Sequence, residues 1–291
     1  MPYTPSPLRY PGGKTQLYNF AYQILQSNNM LGSTYAEPFA GGAGLAVKLL
    51  LNDAVKHIII NDLDISIYAF WYSILNHTAE FCELILGTDI SVDEWKIQRE
   101  KYEDRDTNNL LELGFSTFYL NRTNVSGVIK GGIIGGIDQT GNYKLDARFN
   151  KENLIQRIAL IAQKKEQISI SNLDAKNFLD SPIMKSRRNV FINFDPPYVK
   201  KGSQLYKNSF TEWDHIALSK KIKGCQRKWM LTYDICPLIR DLYRKYRGGT
   251  LDINYSIGDT KNAKEYVFFS NNIAIPSEYS NKIEALGIEA R

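Results

Sequence analysis

Tyr35-Ala36-Glu37-Pro38-Phe39-Ala40-Gly41-Gly42-Ala43-Gly44 runs from a short strand-like segment into a glycine-rich turn, and Leu45–Leu51 continues it as an apolar helix. His57–Asn61, built on Ile58-Ile59-Ile60, reads as a second buried strand closing on Asp62, and Ile65–Asn76 as an aromatic-rich helix. Strand, helix, strand, helix in that order predicts a parallel sheet covered by helices. Lys14–Met30 reads as a helix ahead of it. The pattern lapses over 78–165, which is irregular or helical and glycine-rich near 127–141. It resumes with the strand-like runs Ile168–Ser171, Val190–Phe194, Trp229–Tyr233 and Tyr266–Ser270. The expectation is one α/β domain, residues 1–77 and 166–291, interrupted by an insertion at 78–165 that hangs over the carboxyl edge of the sheet.

With 291 residues, 43% hydrophobic and 23% charged, the chain can bury a sizeable core. No apolar run approaches the ~18 residues of a membrane span, and the start shows no secretory pattern. Cys82, Cys225 and Cys236 are odd in number and show no C-x-x-C, which suits thiols in a reducing cytosol. His57, His77 and His215 lack metal-ligand spacing, so no metal is expected. A formal charge of +5 permits a polyanionic partner. Basic residues gather late, at Arg187-Arg188, Lys200-Lys201 and through 220–247.

Val190–Phe194 runs into Asp195-Pro196-Pro197-Tyr198. Two prolines cannot continue a strand, because each lacks an N–H and fixes φ. A carboxylate, a carbonyl and an aromatic ring therefore stand at the edge where open α/β sheets bind ligands. Together they suit one planar, amine-bearing group. Asp62 follows the glycine turn at about the interval of a ribose-binding carboxylate. The dinucleotide fingerprint is incomplete, since Gly42-Ala43-Gly44 is followed by Leu45-Ala46-Val47, and Glu37 would repel a pyrophosphate. A cationic nucleoside without phosphates, S-adenosyl-L-methionine, fits better. Pro7–Thr15 lacks the leading glycine and the preceding strand of a phosphate loop. Lys14 suits a cofactor carboxylate instead, and Tyr10 the methionine arm.

Arg9-Tyr10-Pro11-Gly12-Gly13-Lys14, Phe39-Ala40-Gly41-Gly42-Ala43-Gly44 and Asp195-Pro196-Pro197-Tyr198, in that order with an insertion between the last two, resemble the Dam-like (D12 class, alpha group) adenine-N6 DNA methyltransferases. The resemblance covers most of the chain and is weakest between about 80 and 165. It implies a Rossmann-like S-adenosylmethionine-dependent methyltransferase sheet with an inserted, mainly helical target-recognition domain. Tyr10 and Lys14 would bind the cofactor, and Phe39, Gly41, Gly42 and Gly44 would shape its pocket. Asp62 would hold the ribose, and Asp195 would serve both cofactor and catalysis. Asp174 would contact the cofactor adenine, or it caps a helix.

The exocyclic nitrogen of adenine is a poor nucleophile, because its lone pair is delocalised. Hydrogen bonds from it to Asp195 and the Pro196 carbonyl would aim that pair at the methyl group, and such positioning can lower a barrier by on the order of 7–11 kcal/mol. Tyr198 would stack on a flipped base, worth roughly 1–3 kcal/mol. Asn121, Arg122, Asn124 and Lys130 in the insertion, with Lys200 and Lys201 after the reactive turn, are the expected double-stranded DNA contacts, unless Arg122 is a structural arginine holding its loop. Val125–Gly136 departs from the pattern of the GATC-specific members, so GATC is not assigned as the recognition sequence. Val199–Phe210 is expected to order only over bound DNA. A cytoplasmic enzyme acting alone or beside a cognate restriction endonuclease follows. Methylation of an amine on RNA or protein, and an inactive DNA-binding homologue, are the competing readings.

Overall fold

The computed structural model describes residues 4–9, 13–200, 210–257 and 259–280, with only the backbone at 253–257, 259–263 and 280. Its seven strands are β1 (Thr34–Glu37), β2 (His57–Asn61), β3 (Ile168–Ser171), β4 (Val190–Phe194), β5 (Lys228–Asp234), β6 (Gly248–Ile257) and β7 (Asp259–Phe269). They form one sheet in the order β3-β2-β1-β4-β5-β7-β6. The first five are parallel, and β7 and β6 close one edge as an antiparallel hairpin.

Alternation along the central strands builds two cores. Tyr35, Ile58, Ile60, Phe191, Met230 and Val267 face one side. Ala36, Ile59, Ile192, Trp229, Leu231 and Phe268 face the other. Because both faces are covered, β1, β2 and β4 are buried at every position, which is why they read as continuous rather than alternating apolar runs. Helices α1 (Tyr18–Ser27), α2 (Gly44–Leu51) and α3 (Ile65–Asn76) cover the first side. Helices α8 (Ala175–Leu179), α9 (Pro182–Lys185), α10 (Glu212–Gly224) and α11 (Pro237–Tyr243) cover the second. This is the α/β architecture expected. Two details differ from expectation. The first helical segment is a 3-10 turn, Lys14–Leu17, leading into α1, and β6 was not anticipated.

The stretch between α3 and β3 holds α4 (Thr78–Gly87), α5 (Val92–Asp104), α6 (Leu110–Thr123) and α7 (Lys151–Ala162). Its apolar residues Phe81, Phe115, Phe118, Phe149 and Ile158 join the same core as Ile58 and Phe191. Helix α6 lies directly on α3. A Cβ at Gly114 would stand 2.6 Å from the Ala69 carbonyl oxygen and 2.7 Å from Ser73 Oγ, so only glycine permits that approach. The three cysteines are free thiols. Among the described residues no helix is long and apolar enough to cross a membrane, and no cluster of His, Cys, Asp or Glu could hold a metal ion.

Candidate active site

From β1 the chain moves outward to β2 and β3, then returns to β4 on the other side of β1. The crevice at the carboxyl ends of β1 and β4 is therefore the switch point where such sheets take their ligands. The register sets Thr34 beside Val190 and Ala36 beside Ile192. The glycine turn leaving β1 and the Asp195–Tyr198 turn leaving β4 thus emerge side by side at one edge.

The glycine turn is held from several directions. Gly41 and Ala43 both take left-handed backbone, with φ of 46° and 43°. The Gly41 amide donates to Asp62 Oδ2 at 2.8 Å, and Trp71 Nε1 donates to the Gly41 carbonyl at 3.0 Å. A Cβ at Gly44 would lie 2.3 Å from Thr15 Oγ1, so the turn also seats the N-terminal 3-10 segment. Phe39 is half-buried with its ring 6.0 Å from that of Phe210. Asp62 accepts a second amide, from Asp64 at 2.9 Å. Burial pushes its carboxyl up to about 6 despite those two bonds. Asn61 Nδ2 donates to the Pro38 and Leu173 carbonyls, each at 2.9 Å, which ties the tips of β1, β2 and β3 together. Asp174 caps α8, its Oδ1 accepting from the Lys176 amide at 2.8 Å.

Glu37 is buried at the end of β1, where the Tyr35 hydroxyl donates to its Oε1 at 3.2 Å. Burial pushes this carboxyl up to about 8, with the charge of Asp195 adding to the rise. A carboxyl raised that far is mostly protonated at pH 7. The expected repulsion of a pyrophosphate by Glu37 therefore does not come from a standing charge.

Asp195 is gripped by three side chains. Its Oδ1 accepts from Thr232 Oγ1 at 2.8 Å and from the Tyr198 hydroxyl at 3.1 Å. Its Oδ2 meets Lys14 Nζ at 2.9 Å. Lys14 also donates to the Tyr198 hydroxyl at 2.8 Å and stands 3.4 Å from Glu265 Oε2 on β7. Lys14 was expected on a cofactor carboxylate. The structure brings its ammonium to the carboxylate and phenol of the reactive turn and to a second carboxylate on β7. The Tyr198 ring is half-buried, 6.1 Å from that of Tyr233, and Pro196 is buried. Beyond it, Asp234 accepts the Val199 and Lys200 amides at 3.0 and 2.8 Å, which fixes where the chain leaves the turn.

Thr232, Asp234 and Glu265 were not singled out from sequence. Thr232 and Asp234 end the apolar strand β5 next to β4, the same signal that marked Asp195. Glu265 follows the mostly polar first half of β7, residues 259–264, and carries no such signal.

The expected DNA contacts fall at the end of α6 and in the loop after it. Asn121 Oδ1 accepts from the Arg9 amide at 2.7 Å, and its Nδ2 donates to the Arg9 carbonyl at 2.7 Å and to the Gly127 carbonyl at 2.8 Å. Asn124 Nδ2 donates to the Val128 and Ile129 carbonyls, while its Oδ1 accepts from Trp95 Nε1 at 2.7 Å. Both asparagines are buried and hold loops in place, so neither presents its amide to solvent. Arg122 donates from Nε to the Arg148 carbonyl at 2.7 Å and from Nη1 to the Pro7 carbonyl at 3.3 Å. Burial, then repulsion from Arg9, Arg157 and Arg148, pushes its guanidinium down to about 9. Four arginines thus converge around the N-terminal segment. Lys130 is exposed. Lys200 is exposed too, its Nζ donating to the Ile235 carbonyl at 2.8 Å. Tyr10, Lys201 and most of the expected ordering segment, 201–209, lie outside the described residues.

Among solved structures, the chain is similar to the Pyrococcus horikoshii protein PH1948, proposed to be an RNA methyltransferase, at 13% identity and a TM-score of 0.41, over 90% of this chain and 85% of that one. It is also similar to M. capricolum TrmK in complex with S-adenosyl-homocysteine, at 8% identity and a TM-score of 0.33, over 87% and 67%. No curated protein sequence matches it. The family model of the D12 class N6 adenine-specific DNA methyltransferases matches residues 10–257, which span both turns at the crevice, and the chain belongs to that family.

Proposed function

We propose that the protein transfers a methyl group from S-adenosyl-L-methionine to the exocyclic N6 of adenine in a specific double-stranded DNA sequence, with the target base flipped out of the helix. The observation that carries this reading is the emergence of the glycine turn and the Asp195–Tyr198 turn from adjacent parallel strands at one crevice. A donor held by the first lies within reach of an acceptor held by the second.

The donor set suits this cofactor. Asp62 and Asp174 supply acceptors for hydroxyls and an amine, which phosphates would not favour. Phe39, Gly41, Gly42 and Gly44 would shape the pocket, with Asp62 on the ribose, Asp174 on the adenine, and Tyr10 and Lys14 near the methionine arm. When bound, the cofactor supplies an activated methyl group. Asp195 and the Pro196 carbonyl would accept the two N6 hydrogens of the target, and the Tyr198 ring would stack on the base. The grip of Thr232, Tyr198 and Lys14 fixes Asp195 before the target arrives, as preorganised electrostatic stabilisation requires.

Residues 78–165 serve in this reading as the target-recognition part. Arg148, the exposed member of the cluster, would meet the backbone directly, with Arg122, Arg9 and Arg157 adding positive charge beneath it and Lys130, Lys200 and Lys201 beside it. Asn121 and Asn124 shape the loops that carry those groups. The enzyme would act in the cytoplasm, alone or beside a cognate restriction endonuclease.

Expression in a methylation-free bacterial host, followed by sequencing of the genome for modified adenines, tests the proposal. N6-methyladenine should recur at one sequence, and Asp195→Ala should remove it. An unmodified genome, or one modified equally by Asp195→Ala, would reject the assignment.

A further inference from the structure

Glu265 has no part in the chemistry described above, yet it is built into the same site. Its register places it beside Asp234 on β5, and its side chain is 2% exposed. Neither carboxylate oxygen makes a well-directed hydrogen bond among the described residues, though the Tyr198 hydroxyl and the Lys14 ammonium both lie close enough to favour its charged form. Burial raises its carboxyl above the usual range, against the pull of Lys14 and with the push of Asp195. An interior carboxylate so weakly hydrogen-bonded is costly, so its placement calls for a cation. The nearest is Lys14 Nζ at 3.4 Å, a long contact, while the same ammonium reaches Asp195 at 2.9 Å. Lys14 thus stands between a deep carboxylate and one that is 24% exposed toward the crevice.

We infer that Glu265 is a positioning residue: a second seat for the Lys14 ammonium that lets Asp195 Oδ2 exchange Lys14 for the amine of the target. The inference rests on the amine-methylating reading of the crevice. No covalent bond is made or broken in the exchange, and the ammonium keeps its three protons. Lys14 retains a carboxylate throughout, so it is never stranded beside a cationic donor. Without Glu265 the ammonium stays on Asp195 and competes with the incoming amine. The groups facing this exchange are Lys14 from the 3-10 turn, Asp195 and Tyr198 after β4, Thr232 from β5, Glu265 from β7 and, behind Asp195, Glu37 from β1.

Two measurements test it. In a crystal structure of Asp195→Asn the charge that holds Lys14 is gone, and Nζ should sit about 2.7–2.9 Å from Glu265. An ammonium that stays 3.4 Å or more from Glu265 overturns the second seat. In single-turnover assays Glu265→Gln should slow methyl transfer about 10- to 100-fold, the range of one lost charged contact. Donor and DNA affinities should hold, and Glu265→Asp should recover part of the rate. In a Lys14→Gln background the added Glu265→Gln should change the rate less than about threefold, because the two act as a unit. Unaltered turnover, or losses that multiply, would show that Glu265 does not act through Lys14. A wild-type chain that fails to methylate DNA rejects the proposed substrate, and the Asp195→Asn structure then decides the seat by itself.

Discussion

Glu37 is a carboxyl whose burial is visible in the pH dependence of folding. A free glutamate ionises near 4.5, while this one is pushed up to about 8. Between those values the native protein keeps a proton that the unfolded chain has released. Stability contributed at this position is therefore complete at acid pH and declines as pH rises, by up to about 1.4 kcal/mol per pH unit. Glu37→Gln cannot ionise and retains an acceptor for the Tyr35 hydroxyl. Its melting temperature relative to the parent should climb between pH 5 and pH 8, and a constant difference would contradict the buried, protonated state. At this scale the sequence was partly legible. Asp195 announced itself because a strand ran into two prolines. Asn121 and Asn124 matched the chemistry of base readers, but residue type does not record which amides the interior will occupy. Glu265 was silent for a related reason: its partner lies 251 residues away, and no local pattern encodes that distance.

Among the elements, the α3–α6 contact is the most sensitive to change. Gly114→Ala would drive a methyl group to 2.6 Å from the Ala69 carbonyl and force the two helices apart. Overpacking of this kind typically costs about 1–3 kcal/mol, which should lower the denaturant midpoint with little change in slope. A midpoint within error of the parent would mean that α6 can shift freely on α3. Strands β1, β2 and β4 were readable because each is short, apolar and bounded by turn residues. Strand β6 was passed over, although Leu251, Ile253, Tyr255 and Ile257 alternate with polar residues at the spacing of two expected of a strand. The Gly248-Gly249 start hid it. Helices α4 to α7 were recognised only as a lapse in the strand–helix rhythm, since their apolar residues pack on an element read as finished.

For the whole molecule, the proposed function would lay a duplex across the crevice and the arginine cluster. Arg148 is exposed, and the bond it offers Arg122 comes from its backbone carbonyl, so Arg148→Ala removes a charge without removing that bond. Binding of double-stranded DNA by this variant should weaken more at low salt than at high. The slope of log affinity against log salt should become shallower by about one. A parallel salt dependence would place the duplex elsewhere. The arrangement of the whole was legible as far as the order of the strands carried it. The merging of the 78–165 helices with the sheet's own core was not, because an insertion read from sequence shows its ends and not what it leans on.

Asn121 closes both backbone groups of Arg9 across 112 residues of sequence. In deuterium exchange the Arg9 amide should therefore not behave like a fraying chain end. It can trade its proton only when the tip of α6 lets go, which makes one peptide from the start of the chain a gauge of loosening in its middle.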